Sequence, residues 1–105
     1  MAKIPASIKK IIDNYIEALT AQGINIISAF IFGSYARGNY TDLSDIDIAL
    51  ISNDFEGNRF FDKNKIRKIT LSISSKIEVI PFNPEDFTHE NPLAKEIIDT
   101  GIKVA

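Results

Sequence analysis

The chain has 105 residues, is 45% hydrophobic and 25% charged, and carries a formal net charge of -2. That length suits one domain spanning residues 1–105 with one core, and the acidic balance argues against a general nucleic-acid or membrane-surface binder, which carries a basic face. There is no cysteine, which excludes a disulfide framework and thiolate chemistry. The N-terminal stretch MAKIPASIKKIIDNYIEAL is interrupted by charges, so it reads as neither signal peptide nor membrane span, and a cytoplasmic location is expected.

In chain order, Ile8, Ile11, Ile12, Tyr15, Ile16 and Leu19 recur at helical spacing and predict an amphipathic helix. Pro5 suits its start and Gly23 its C-cap. Ile26 to Phe32 is a short apolar run, which predicts a strand covered on both faces. Ser34 to Gly38 reads as a short helix with Ser34 at its N-cap, and Asn39 to Ser44 as a loop. Asp45 to Ile51 is a second strand, with Ile46, Ile48 and Leu50 on one face and Asp45, Asp47 and Ala49 on the other. After a polar loop from Ser52 to about Arg59, Asp62 to Ser75 predicts a helix that buries Ile66, Ile69 and Ile73. Lys76 to Pro81 is a third strand. Asn91-Pro92 opens a last helix capped by Gly101, and Ile102 to Val104 forms a short final strand. The expected fold is α+β (mixed α/β): a small mixed β-sheet backed by helices.

The chemistry is concentrated in the acids. Two carboxylates at i and i+2 of a strand, Asp45 and Asp47, point the same way with roots roughly 6.5–7 Å apart. Such a pair alone is more often the solvated face of an edge strand. However, aspartate suits strands poorly, and Glu78 adds a third acid with matching parity on another strand. Clustered acids repel unless a cation neutralises them. Carboxylate oxygens are the ligands magnesium prefers, and two-metal phosphoryl chemistry needs ions about 3.5–4 Å apart on shared carboxylates. Upstream, Gly33-Ser34 at a strand-to-helix junction either forms an ordinary tight turn or lets backbone N–H groups approach a phosphate.

Together the segment GSYARGNYTDLSDID resembles the signature of the DNA polymerase beta-like nucleotidyltransferase superfamily, and within it is most similar to the minimal nucleotidyltransferase (MNT) branch. The matching positions are Gly33, Ser34, Arg37, Gly38, Ser44, Asp45, Asp47 and Glu78. The resemblance implies the polymerase beta-like fold and a transferase that uses ATP and two Mg2+ ions. Asp45, Asp47 and Glu78 would be the metal-holding and catalytic residues, and Gly33, Ser34, Ser44 and Arg37 would contact the nucleotide. Ser44 either caps a turn or touches phosphate. Arg37 pairs with phosphate, with Asp42 or with a partner, a structural ion pair being the favoured reading. Tyr40 or Phe82 either stacks on the base or belongs to the core. The one departure is Glu78, where the superfamily commonly has aspartate. The extra C–C step is about 1.5 Å, and a misplacement near 1 Å costs roughly a hundredfold in rate.

The MNT branch further implies a partner. In that family the small enzyme adenylylates (AMPylates) a HEPN-domain toxin and silences it, acting as the antitoxin of a type VII-like toxin–antitoxin pair. The short chain leaves no room for an acceptor-presenting domain, so the acceptor is expected to be a hydroxyl, in particular a tyrosine, of that partner in a hetero-oligomer. Two alternatives stay open: a small-molecule (antibiotic) adenylyltransferase, and a binding-only antitoxin with a vestigial metal site. Neither His89, in the polar stretch Thr88 to Asn91, nor the cluster Lys63, Lys65, Arg67 and Lys68 is assigned a chemical role. The first reads as exposed loop, the second as a solvated helix face or a partner surface.

Overall fold

The computed structural model describes residues 4–105. The elements run α1 (Ala6–Ala21), β1 (Ser28–Phe32), α2 (Ser34–Arg37), β2 (Ile46–Ile51), α3 (Arg59–Ile73), β3 (Ile77–Phe82), α4 (Pro92–Thr100) and β4 (Ile102–Lys103). The strands form one sheet in the order β3-β2-β1-β4. β1 pairs antiparallel with both β2 and β4, and β2 pairs parallel with β3. Among the described residues no helix is long and apolar enough to cross a membrane.

Strand alternation divides the sheet into two chemically different faces. Ala29, Ile31, Ile46, Ile48, Leu50, Ile77 and Val79 point to the face covered by α1 and α3, where they meet Ile8, Ile12, Tyr15, Leu19 and Ile66. Each fully buried Ile or Leu there contributes about 1.5–3 kcal/mol of hydrophobic stabilisation. On the opposite face Ala49, Ile51 and Phe82 pack under Ala94 and Ile97 of α4. Phe87 adds to this second cluster, with ring centroids 5.3 Å from Phe30 and 5.0 Å from Phe82. α4 covers the second face only in part. β1 accordingly alternates between buried and half-buried residues, whereas its apolar run predicted burial on both sides.

The local signals act with small displacements. Pro5 sits at the N-cap of α1, and Gly23, with φ +87°, lies one residue beyond the C-cap at Gln22. α3 starts at Arg59, three residues before the expected Asp62, because Asn58 caps it by accepting the Phe61 N–H at 3.1 Å. Asp62 turns inward instead and accepts the N–H groups of Glu56 and Gly57 at 2.8 and 3.0 Å, which fastens the preceding loop. A buried carboxylate is tolerated when backbone donors satisfy it. Asn91 caps α4 through the N–H groups of Leu93 and Ala94, with Pro92 in the first turn.

Candidate active site

The site lies on the second face, bordering the apolar cluster that Ile97, Leu93 and Phe32 share there. Register places Phe32 opposite Asp47, and Asp47 opposite Glu78, so one row of the sheet reads Phe32, Asp47, Glu78. Adjacent strands are about 4.8 Å apart. Asp47 and Glu78 share a face by parity, as their spacing predicted. Asp45 precedes β2, whose first residue is Ile46, and it is exposed. Burial pushes the Asp47 carboxyl above the usual carboxylate range, Asp45 and Glu78 add to that rise, and the Arg37 guanidinium opposes it. Partial desolvation and like charges both disfavour the carboxylate form.

Gly33 makes this crowding sterically compatible. Its backbone, at φ +71° and ψ -146°, turns the chain from β1 into α2, close to a region open almost only to glycine. A Cβ there would overlap Asp47 Oδ2. Gly33 also takes the N-cap position, so Ser34 is the first helical residue, not the cap, and its side chain makes no capping bond. Gly38, in the left-handed region, closes α2. Tyr35 is buried and stacks on Tyr40 at 4.5 Å.

The remaining candidates divide. Ser44 closes the loop before β2: its Oγ accepts the Thr41 N–H at 2.8 Å. Among the described residues Arg37 forms no ion pair. Asp42, its expected protein partner, instead presents its carbonyl to Lys76 Nζ at 2.6 Å. Arg37 and Asp47 share a cavity of about 250 Å³ with Gly33 and four residues of α4, namely Leu93, Glu96, Ile97 and Thr100. Phe82 is core. His89 is exposed but pairs with Asp99 at 2.9 Å. Leu93 and Ile97 are read from the sequence only as packing residues of the last helix, and Glu96 and Thr100, which flank them at i+3, carry no site signal beyond their own i, i+4 spacing.

The donor set suits magnesium in kind, since crowded carboxylate oxygens are the ligands it prefers and a cation relieves their repulsion. The cage is not closed, because the Glu78 side chain leans to α3, where Oε2 lies 3.8 Å from Lys63 Nζ. Among the described residues no three potential ligands gather closely enough to hold an ion.

The chain matches the family described as polymerase beta, nucleotidyltransferase, over residues 8–105. It is 30% identical over 104 residues to a protein of Methanocaldococcus jannaschii named as a putative protein adenylyltransferase, covering 92% of this chain and 70% of that one. It also superposes on the crystal structure of a putative nucleotidyltransferase from Sulfolobus solfataricus, with a TM-score of 0.55 and 24% identity, over 98% of this chain and 89% of the other; that likeness concerns the fold. The open row of Asp47 and Glu78, the glycine turn beside it and the match along nearly the whole chain converge: this protein belongs to the polymerase beta nucleotidyltransferase family.

Proposed function

We propose that the chain is a magnesium-dependent protein adenylyltransferase. It transfers AMP from ATP to a hydroxyl, in particular a tyrosine, of a HEPN-type toxin and so serves as that toxin's antitoxin. The observation that carries this reading is the register pair Asp47–Glu78 beside the Gly33 turn. The name of the Methanocaldococcus jannaschii relative supports a protein as the acceptor, and the resemblance of the motif to MNT antitoxins supports the toxin as partner.

In this reading Asp45, Asp47 and Glu78 would hold two Mg2+ ions. When bound, such ions neutralise the triphosphate and lower the pKa of the attacking hydroxyl. The amide N–H groups that open α2 after Gly33, with the Ser34 hydroxyl, orient the β- and γ-phosphates. Arg37 adds positive charge on the side of Asp47. The acceptor oxygen bonds to the α-phosphorus, the bond from that phosphorus to the bridging oxygen breaks, and pyrophosphate leaves in line. The hydroxyl proton passes to Glu78, the acid nearest the outer edge of the sheet.

The test is incubation with α-labelled ATP, Mg2+ and a HEPN-domain toxin, with aminoglycosides as competing acceptors. Label on the toxin, absent with Asp47→Asn, is the expected result. Label only on an aminoglycoside replaces the protein acceptor by a small one. A second reading, a binding-only antitoxin, draws on the Glu78 side chain facing Lys63. It predicts that the doubly substituted Asp45→Asn, Asp47→Asn protein still neutralises the toxin while the wild type transfers nothing.

A further inference from the structure

Glu78 faces two ways. Its strand neighbour is Asp47, but Glu78 also lines a groove of about 370 Å³ between α3 and β3. The floor of this groove is aliphatic, made by Ile77 and Val79. Its wall is one stripe of α3, in which Phe60, Lys63, Arg67 and Leu71 follow at helical spacing. Phe60 is 71% and Leu71 58% exposed, so the two ends of this stripe present apolar surface to solvent on either side of its cations. The groove shares no lining residue with the Arg37 cavity; Glu78 lines the one, and its register neighbour Asp47 lines the other.

Charge is distributed unevenly around this groove. α3 holds five of the chain's twelve Lys and Arg residues, namely Arg59, Lys63, Lys65, Arg67 and Lys68. Its one acid, Asp62, is buried and bound to backbone N–H groups. The rest of the chain has seven basic residues against thirteen acidic ones. A basic helix on an otherwise acidic chain attracts acidic ligands to that helix alone. Of its cations, Lys65 is engaged by the Asp54 carbonyl at 2.8 Å, Lys63 lines the groove with its Nζ 3.8 Å from Glu78, a loose and exposed pair, and Arg67 lines it without an ion pair among the described residues.

We infer that this groove docks an acidic, tyrosine-bearing segment of a protein acceptor, with its acidic side chains on Lys63 and Arg67 and its apolar side chains against Phe60, Leu71, Ile77 and Val79. The inference rests on the proposed protein adenylyltransferase reading and specifies its acceptor. An aliphatic floor beneath two cations complements mixed acidic and apolar side chains. It suits a sugar-phosphate chain less well, because such a chain needs phosphate contacts along its whole track and aromatic platforms beneath its bases. A segment seated here brings its hydroxyl to Glu78 from the edge of the sheet, while the nucleotide takes the Arg37 side.

The experiment measures fluorescence anisotropy of a labelled Glu/Tyr random copolymer, with a Lys/Tyr copolymer and an oligoadenylate of equal length as rivals. The double variant Lys63→Glu, Arg67→Glu is compared with Lys9→Glu, Lys10→Glu, which changes net charge equally on the exposed face of α1. Circular dichroism checks that both variants fold. The expected result is binding of the Glu/Tyr copolymer ahead of both rivals, weakened at least tenfold by the groove variant and less than twofold by the α1 variant. Equal loss in both variants, tighter binding of the oligoadenylate, absence of copolymer binding, or a dimer that the groove variant dissolves would each overturn the inference. Transfer of label from ATP is scored separately. Copolymer bound in the groove but no AMP transferred to any acceptor sinks the proposed function and leaves the groove. AMP transferred to the toxin equally by wild type and groove variant sinks the groove and leaves the function.

Discussion

Gly33 and Asp47 are in direct apposition: the space a Cβ would occupy on residue 33 is taken by Asp47 Oδ2. The main chain that turns into α2 therefore lies against the acid at the centre of the site, and only glycine permits both the approach and the backbone conformation.

Gly33→Ala is expected to cost about 1–3 kcal/mol of stability from the backbone conformation and to push Asp47 off its position. A shift near 1 Å at a reacting centre costs roughly a hundredfold in rate. The chain should still fold, because the first core cluster is built mainly by α1, α3 and the sheet, and α2 contributes only Tyr35 to it. Thermal unfolding together with AMP transfer checks this. A variant as active as the wild type would show that Asp47 needs no such approach.

A second prediction concerns the contact between α1 and α3. Tyr15 Oη and Thr70 Oγ1 lie 2.6 Å apart in the buried interior, and Thr70 Oγ1 also lies 3.0 Å from the Ile66 carbonyl. Threonine has one hydroxyl proton. The carbonyl can only accept, so Thr70 donates to Ile66 and Tyr15 donates to Thr70. Thr70→Val then strands a buried donor and should cost about 1–3 kcal/mol, whereas Tyr15→Phe removes the donor itself and should cost about 0.5–1.5 kcal/mol. Urea unfolding of both variants decides it, and the reverse order would mean that the proton runs the other way. Burial pushes the Tyr15 phenol up to about 12. In the unfolded chain it ionises near its ordinary value of about 10. Stability present below pH 10 is therefore lost progressively as pH rises towards 12, and Tyr15→Phe should flatten that loss.

Much of this architecture was legible in the sequence because hydrophobic period and punctuation agree. Ile8, Ile12, Tyr15 and Leu19 fall at helical spacing and are all buried. Asn91-Pro92 opens α4 as its capping chemistry predicts. The parity of Asp47 and Glu78 placed them on one face before their register was known. What stayed illegible depends on contacts between distant segments. Nothing in the spacing of α3 says that Asp62 turns inward to hold Glu56 and Gly57 while Asn58 caps a helix that begins three residues earlier. The wall that Leu93, Glu96, Ile97 and Thr100 give to the Arg37 cavity depends on where α4 docks, and local period does not encode that. Likewise the approach of Lys63 to Glu78 follows from packing α3 beside β3.

The third prediction is a pH effect at the C-terminal half of α4. Hydrogen bonds from Lys95 and His89 hold the Asp99 carboxyl below the usual carboxylate range. A carboxyl whose pKa is lower in the folded state contributes stability above its unfolded pKa of about 3.9 and loses it as pH falls through the folded value. Asp99→Asn should therefore lower the melting temperature slightly at pH 7, and the difference from wild type should shrink as the carboxyl protonates in acid. A difference that persists in acid would assign the effect to packing and not to charge. The exposure of all three groups keeps the effect small.

The last prediction separates the two roles considered for Arg37. A structural role requires an ion pair, and among the described residues Arg37 has none, while its side chain lines the cavity that holds Asp47. A guanidinium that meets a triphosphate gives a charge-assisted hydrogen bond of about 1.5–3 kcal/mol. Arg37→Met keeps much of the aliphatic stem and removes the charge. It should raise KM for ATP by roughly 10–100-fold, which is that energy at about 1.4 kcal/mol per factor of ten, and leave the melting temperature within about 1 °C, as for an exposed side chain without partners. Arg37→Lys should recover part of the loss, because lysine keeps the point charge but not the planar fork. If melting temperature falls while KM holds, Arg37 braces the short helix α2 and the phosphates are met by Gly33 and Ser34 alone. If KM rises and lysine restores it fully, charge suffices and the fork geometry plays no part in binding ATP.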